Sequence, residues 1–317
     1  MTLQTTLRVS RFNPEEQRSY WQEYTLDVEP QYTVLDALIK IREYEDGSLG
    51  LRCSCRSSIC GSCAIRINGH ATLACKTKLR SLASGGRHVT VEPLGNLPII
   101  KDLVVDMTSH WNKVMAVKPW LQPQGPEPEH EYIAPNETML HLAGVMSCIM
   151  CGACVGDCTV LQVDPNFLGP AALAKAYRFV GDPRDAAGKE RLKALNRYGG
   201  IWDCTRCYEC VQACPKGVAP MERIMALRDK AIEVGFDNTY GARHTIAFGE
   251  ILEHAGRLDE LRLPIKTFGM FNFIQMLQLL PVGLRALMRG KMPPVFHKPI
   301  PKAENVRRIF KKMESKR

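Results

Sequence analysis

Cys204-Thr205-Arg206-Cys207-Tyr208-Glu209-Cys210-Val211-Gln212-Ala213-Cys214-Pro215 decides how the rest of the chain is read. Its spacing is C-x2-C-x2-C-x3-C-P, the run that holds cubane iron–sulfur clusters, and Cys148, Cys151, Cys154 and Cys158 repeat it upstream. In two-cluster proteins the fourth cysteine of each run crosses to the other run's cluster. One [4Fe–4S] cluster is therefore expected on Cys148, Cys151, Cys154 and Cys214, and a second on Cys158, Cys204, Cys207 and Cys210. Without Cys207 the second would be [3Fe–4S]. The alternative is structural zinc, which C-x2-C pairs also bind. Zinc needs four ligands per site and gives no reason for a doubled four-cysteine run.

A third set lies nearer the N-terminus. Cys55-x4-Cys60-x2-Cys63, with Cys75 further on, is the plant-type [2Fe–2S] spacing. Gly61 inside this loop lets backbone approach closely. The thirteenth cysteine, Cys53, stands two residues before Cys55 and would face the same way on extended chain. Only Cys55 has the four-residue spacer to Cys60, so Cys55 is the expected ligand and Cys53 a bystander thiol. Around this set, residues 3–12 and 21–28 alternate as strands of a hairpin. Thr33 would cap a helix from Val34 to Tyr44 with Leu35, Leu38 and Ile41 inward. Ala64–Ile67, the Asn68-Gly69 turn and Val89–Glu92 add further strands. This order is similar to the ubiquitin-like (β-grasp) fold of plant-type ferredoxins.

From Asp102 onward the composition turns helical, and residues 119–128 form a proline-rich connector. Helices are expected at 138–146, after Gly169-Pro170, at 188–198 and from Met221 to Val234, their apolar stripes serving as core. The fold class is α+β: a plant-type ferredoxin domain (1–105), an all-helical two-cluster domain (106–240) and a helical C-terminal extension (241–317).

At 317 residues and 45% hydrophobic, the chain can bury two modest cores. Its first residues lack the apolar centre of a signal peptide, so thirteen cysteines point to metal in a reducing compartment. No stretch is apolar and long enough for a clear membrane span. From Arg285 to Arg317 there are eleven Lys or Arg and two Glu, which accounts for the whole formal charge of +9. Such a tail seeks an acidic surface, a partner or an anionic membrane, and its few aromatics argue against nucleic acid. Residues 265–290 are apolar and methionine-rich, interrupted by Pro281, with Asn272, Gln275 and Gln278 as one polar edge. That pattern suits a helix docked on a partner or lying in a membrane interface, or packed within the chain.

Taken together, the chain resembles the iron–sulfur subunits of succinate dehydrogenase and fumarate reductase over residues 1–235. The resemblance rests on the 55–64 loop, Ile67-Asn68-Gly69, Leu73-Ala74-Cys75, residues 100–107, Gly169-Pro170-Ala171-Ala172, Ala176-Tyr177-Arg178-Phe179 and Cys214-Pro215-Lys216-Gly217. It implies a three-cluster wire fed by the flavin of an FAD-containing flavoprotein on another chain, in a peripheral complex on the cytoplasmic side of a membrane. Succinate chemistry would belong to that flavoprotein, because this chain carries no flavin motif. Sequence leaves open whether succinate is oxidised or fumarate reduced. A subunit of another flavin dehydrogenase, such as a glycolate or glycerol-3-phosphate oxidase, is disfavoured by the [2Fe–2S] domain, and a non-enzymatic zinc or nucleic-acid module is more distant.

Three departures from that family stand out. Cys207 occupies a position that is not cysteine in the common pattern, where the third cluster is [3Fe–4S], so a second [4Fe–4S] is expected here. Thr159 replaces the usual proline, and Val163 and Thr205 replace a tryptophan and a histidine of the usual quinone pocket. Residues 280–293 resemble the small iron–sulfur subunit of heterodisulfide reductases, which implies a membrane-associated, heterodisulfide-reductase-like partner and only indirect contact with quinone.

Overall fold

The computed structural model describes residues 3–82, 88–269, 272–294 and 297–315. The chain divides into two compact units, Met1–Lys230 and Ala231–Arg317.

The first unit opens with the expected hairpin, β1 (Leu3–Asn13) and β2 (Arg18–Val28), paired from Leu3↔Val28 to Asn13↔Arg18. β3 (Ala64–Ile67) and β4 (His70–Leu73) form a second hairpin. Its turn residues Asn68 and Gly69 both have positive φ, 50° and 83°, the conformation that two-residue hairpin loops need. β5 (Val89–Glu92) lies between them, parallel to β1 and antiparallel to β3, giving the order β2-β1-β5-β3-β4. The Val34–Tyr44 helix begins at a capping box in which Thr33 and Asp36 each accept from the other's backbone N–H, and it buries Val34, Leu35, Leu38 and Ile41.

Strand alternation places Arg11 on the same inward face as Leu7 and Val9. Burying that charge costs stability unless it is paired. Arg11 donates to Asp102 (2.9 Å), Asp46 (2.5 Å), the Tyr24 hydroxyl (2.6 Å) and Ser48 (2.9 Å). Hydrogen bonds from the Ser48 hydroxyl, then from the Tyr24 hydroxyl and the Arg11 guanidinium, hold Asp46 well below the usual carboxylate range. Asp102 lies between β6 (Ile99–Lys101) and β7 (Val104–Val105), so this pair locks the sheet to the chain leading into the helical region.

In that region the Gly169–Val180 helix carries Pro170 in its first turn and buries Ala171, Ala172, Leu173, Ala176 and Tyr177. Small side chains on this face let it lie close to the Thr108–Ala116 helix and to the first cysteine run. The proline-rich connector is tied down by one buried side chain. Arg191 pairs with Asp185 (2.8 Å) and donates to the carbonyls of Val117, Lys118 and Trp120.

Several expected helices change shape. Residues 136–146 form three short pieces, a 3-10 turn at Leu140–Leu142 separating Asn136–Met139 from Ala143–Met146. The helix expected at 188–198 stops at Leu195 because the chain turns sharply at Gly199-Gly200, where a Cβ on Gly200 would collide with the Leu195 carbonyl. The Pro220–Glu233 helix buries Ile224, Leu227 and Ala231, but Val234 falls beyond its end and is exposed.

The second unit contains helices Tyr240–Ala255, Arg262–Phe268, Phe273–Met288 and Ala303–Glu314. Pro281 does not interrupt the third of these, which continues through it while giving up one backbone donor. Asn272 is that helix's N-cap, accepting from the N–H of Gln275, and not part of a polar edge. Among the described residues no helix is long and apolar enough to cross a membrane.

Candidate metal centres

The N-terminal loop is shaped around a sulfur. Arg56, Ser58 and Gly61 all take positive φ, which curls the backbone so that successive N–H groups point inward. Ser57, Ile59 and Cys60 each donate to Cys55 Sγ at 3.3 Å, and Ser58 donates to Cys75 Sγ at 3.3 Å. Hydrogen bonding to a sulfur favours its thiolate form. The Ser62 hydroxyl, then backbone amides, bring the exposed Cys60 thiol down to about 6. Burial, followed by the neighbouring Cys75 and Cys60, pushes Cys63 up to about 12. Cys55, Cys60, Cys63 and Cys75 thus neighbour one another. Among the described residues no such amide donates to Cys53.

Cys148, Cys151, Cys154 and Cys214 line one small cavity, walled by Ala171, Ala174, Val218 and Pro220. Burial pushes the Cys151 and Cys154 thiols up, and nearby thiols push further: Cys148 and Cys214 on both, Cys151 also on Cys154. Cys214 Sγ accepts from the N–H of Val218 at 3.3 Å. Four half-buried sulfurs without acidic or histidine company in their cavity form a donor set that suits a cluster with its own positive charge.

The remaining four cysteines gather around each other. Cys158 is raised by burial and feels Cys207 and Cys204. Cys210, raised by burial to about 12, feels Cys204, Cys158 and Cys207. Cys207 differs. Partial burial pushes its thiol up, yet the Thr159 hydroxyl, the Glu209 N–H and the Thr205 hydroxyl bring it below its ordinary value. The crosswise exchange of fourth cysteines, Cys214 to the first run and Cys158 to the second, is the arrangement the spacing implies.

Among the described residues no three or more His, Cys, Asp or Glu side chains are placed to hold a single metal ion.

The three sets adjoin. A Cβ on Gly61 would stand 2.7 Å from Cys151 Cβ, so the N-terminal loop and the first run are in contact at a residue that has to be glycine. Cys154 also feels Cys210 of the other set. The buried carboxylate of Asp157, just before Cys158, accepts from Arg66 of β3 (2.9 Å) and the N–H of Ala71 of β4 (2.6 Å). Asn96 donates to the carbonyls of Val155 (2.7 Å) and Cys158 (3.0 Å). Buried Arg228 donates to the carbonyls of Ile201, Trp202 and Cys204, fixing the chain where it enters the second run, and burial lowers its pKa to about 10. Sequence reading missed Asp157, Asn96 and Arg228, since single polar residues next to a motif carry no periodic signal.

A 2Fe-2S iron–sulfur cluster binding domain model matches residues 6–112 and a 4Fe-4S dicluster domain model matches residues 144–218. The fumarate reductase iron–sulfur subunit of Mycobacterium tuberculosis is 41% identical over 217 residues, covering 68% of this chain and 87% of that protein. The chain belongs to the iron–sulfur subunits of succinate dehydrogenase and fumarate reductase. It is accordingly an electron-transfer subunit carrying 2Fe-2S and 4Fe-4S cluster domains. The iron–sulfur subunit of the 8-methylmenaquinol:fumarate reductase of Wolinella succinogenes is 32% identical over 90% of both chains, so that likeness runs past residue 230 into the second unit. A chain of the Mycobacterium smegmatis Sdh1 complex in the apo form shares the fold, with a TM-score of 0.69 at 24% identity over 75% of this chain and 99% of that one.

Proposed function

We propose that the chain relays electrons between the flavin of an FAD-containing flavoprotein subunit and a membrane-associated, heterodisulfide-reductase-like acceptor, and through it quinone. In this reading it is the wire of a succinate:quinone oxidoreductase. Cys55, Cys60, Cys63 and Cys75 hold a [2Fe–2S] cluster. Cys148, Cys151, Cys154 and Cys214 hold a [4Fe–4S] cluster, and Cys158, Cys204, Cys207 and Cys210 hold a third, also [4Fe–4S]. When bound, such clusters supply one-electron steps, the means of splitting a two-electron oxidation at a flavin. The observation that supports a wire most directly is the contact of Gly61 with Cys151, continued by the nearness of Cys154 and Cys210. Asp157 and Asn96 hold the sets at fixed separation. Exposed Cys60 and Ile59 leave the [2Fe–2S] loop open for the flavoprotein.

Attachment falls to the second unit. The Phe273–Met288 helix exposes Ile274, Leu277, Leu280, Leu284 and Leu287 along one side. Between Leu261 and Ala303 there is no Asp or Glu but seven Lys or Arg. An apolar face with basic flanks suits an acidic surface on the cytoplasmic side of the membrane.

Fumarate reduction is the second reading, favoured by the Wolinella relative whose likeness includes the second unit. One experiment tests the relay in both directions. In the complex purified with its flavoprotein, succinate should reduce the [2Fe–2S] cluster and so bring up its signal in electron paramagnetic resonance (EPR), and fumarate should reoxidise the cluster and remove that signal. A signal indifferent to both, in a complex that dithionite does reduce, would reject the function.

A further inference from the structure

The two four-cysteine sets are built from runs of identical spacing, so each position in one has a counterpart in the other. Cys207 corresponds to Cys151. The residue after the crossing cysteine is Pro215 for the first set and Thr159 for the second, and the residue after the opening cysteine is Ile149 against Thr205. The first set is therefore flanked by two residues without a side-chain donor and the second by two hydroxyls.

Both hydroxyls face one sulfur. Thr159 Oγ1 donates to Cys207 Sγ at 3.4 Å, across 48 residues of chain, and Thr205 is two residues from Cys207 on the other side. Cys207 is also the exposed member of its set, whereas Cys158 and Cys210 are buried and Cys204 is half-buried. An exposed thiolate is the one most open to exchange with water and oxidant. A proline at 159 would supply neither a hydroxyl nor an N–H.

We propose that Thr159 is a positioning residue for the terminal cluster, holding the Cys207 thiolate on its iron and raising the cluster's reduction potential through the hydroxyl–sulfur bond. This rests on the reading of Cys207 as fourth ligand. A hydrogen bond to a ligand sulfur stabilises the more negative, reduced cluster more than the oxidised one, so its loss lowers the potential. Thr205 adds a second, weaker donor to the same sulfur.

Thr159→Val keeps the shape and removes the hydroxyl, while Thr159→Ser keeps the hydroxyl. In the anaerobically purified complex, EPR-monitored redox titration of Thr159→Val should show the terminal cluster about tenfold harder to reduce, about 59 mV for a one-electron couple. The first [4Fe–4S] cluster should not move. Thr159→Ser should restore the wild-type value, and Thr205→Val should shift it in the same direction by less. Mild ferricyanide treatment should convert more of the terminal cluster to [3Fe–4S] in Thr159→Val than in wild type. An unchanged terminal potential in Thr159→Val, with the wild-type cluster confirmed as [4Fe–4S], would overturn the role of Thr159. A stoichiometric [3Fe–4S] signal in untreated wild type would instead overturn the reading of Cys207, and would be seen before any substitution.

Discussion

The two cubane sets share one ligand spacing and differ in everything around it. Cys148, Cys151, Cys154 and Cys214 line a mostly apolar cavity in which Lys216 is the one charged residue. The set of Cys158, Cys204, Cys207 and Cys210 combines two buried sulfurs with an exposed one that accepts from a threonine hydroxyl. Hydrogen bonds and solvent exposure are among the levers that set cluster potential. A chain can thus separate the potentials of two like clusters without changing a ligand, and the set whose exposed sulfur takes a hydroxyl hydrogen bond becomes the natural end of an electron path. The comparison also explains why Arg228 matters on one side only. Its guanidinium satisfies three carbonyls of the segment that enters the second run, whereas beside the first set Arg223 donates to one carbonyl, that of Val218.

The largest way to break the comparison is at the sulfur that adjoins both sets. Cys154→Ser removes a proposed ligand of the first cluster, a sulfur that also feels Cys210 of the other set. Iron in the purified chain is expected to fall from about ten atoms to about two, the [2Fe–2S] pair alone. Iron and acid-labile sulfide analysis reads the result, and retention of six atoms would show that the sets assemble independently.

Cys55→Ser and Cys53→Ser test the third set against the other two. Cys55 Sγ accepts three amide hydrogen bonds, so its loss should abolish or displace the plant-type EPR signal, whereas Cys53→Ser should leave it nearly intact. Equal losses in both variants would mean that the loop does not distinguish the two sulfurs.

Arg228→Met leaves the carbonyls of Ile201, Trp202 and Cys204 without their donor, a penalty of about 1–3 kcal/mol for each that stays buried and unsatisfied. Occupancy of the terminal cluster should drop and its first partner's should not, as judged by integrating the two EPR signals. A matched loss in both would make Arg228 a general support of the fold.

A smaller effect is expected in the second unit. Truncation after Leu284 removes the basic tail, and should weaken attachment to membranes about as much as high salt does, since exposed charges are screened over about 8 Å at physiological ionic strength and less above it. Sedimentation with membranes reads this, and attachment indifferent to both treatments would remove the tail from the account.

Much of this architecture was legible in the residues. The Asn68-Gly69 turn, the Thr33 cap and the cysteine spacings are local signals, and each depends only on neighbours in sequence. Where the outcome hung on distant partners, reading failed. Residues 138–146 have helical composition, yet the chain breaks there into short turns as it runs into the first cysteine run. Pro281 reads as a stop, but the helix accommodates it on an exposed side where the lost bond is cheap to replace with water. Arg11 looks like a surface strand residue until Asp102, ninety-one residues later, accounts for its burial. Thr159 and Thr205 are visible as unusual neighbours of cysteines, while their convergence on Cys207 is a fact of three dimensions.

The unlike terminal cluster is the centre of this account, and Cys207 is its test. Anaerobically purified wild-type complex, mildly oxidised, should show no stoichiometric [3Fe–4S] EPR signal and should contain about ten irons per chain. Cys207→Ile should create that signal, lose about one iron and raise the potential of the terminal centre. A full-occupancy [3Fe–4S] signal in wild type, with about nine irons, would contradict the account, because Cys207 would then not be a ligand.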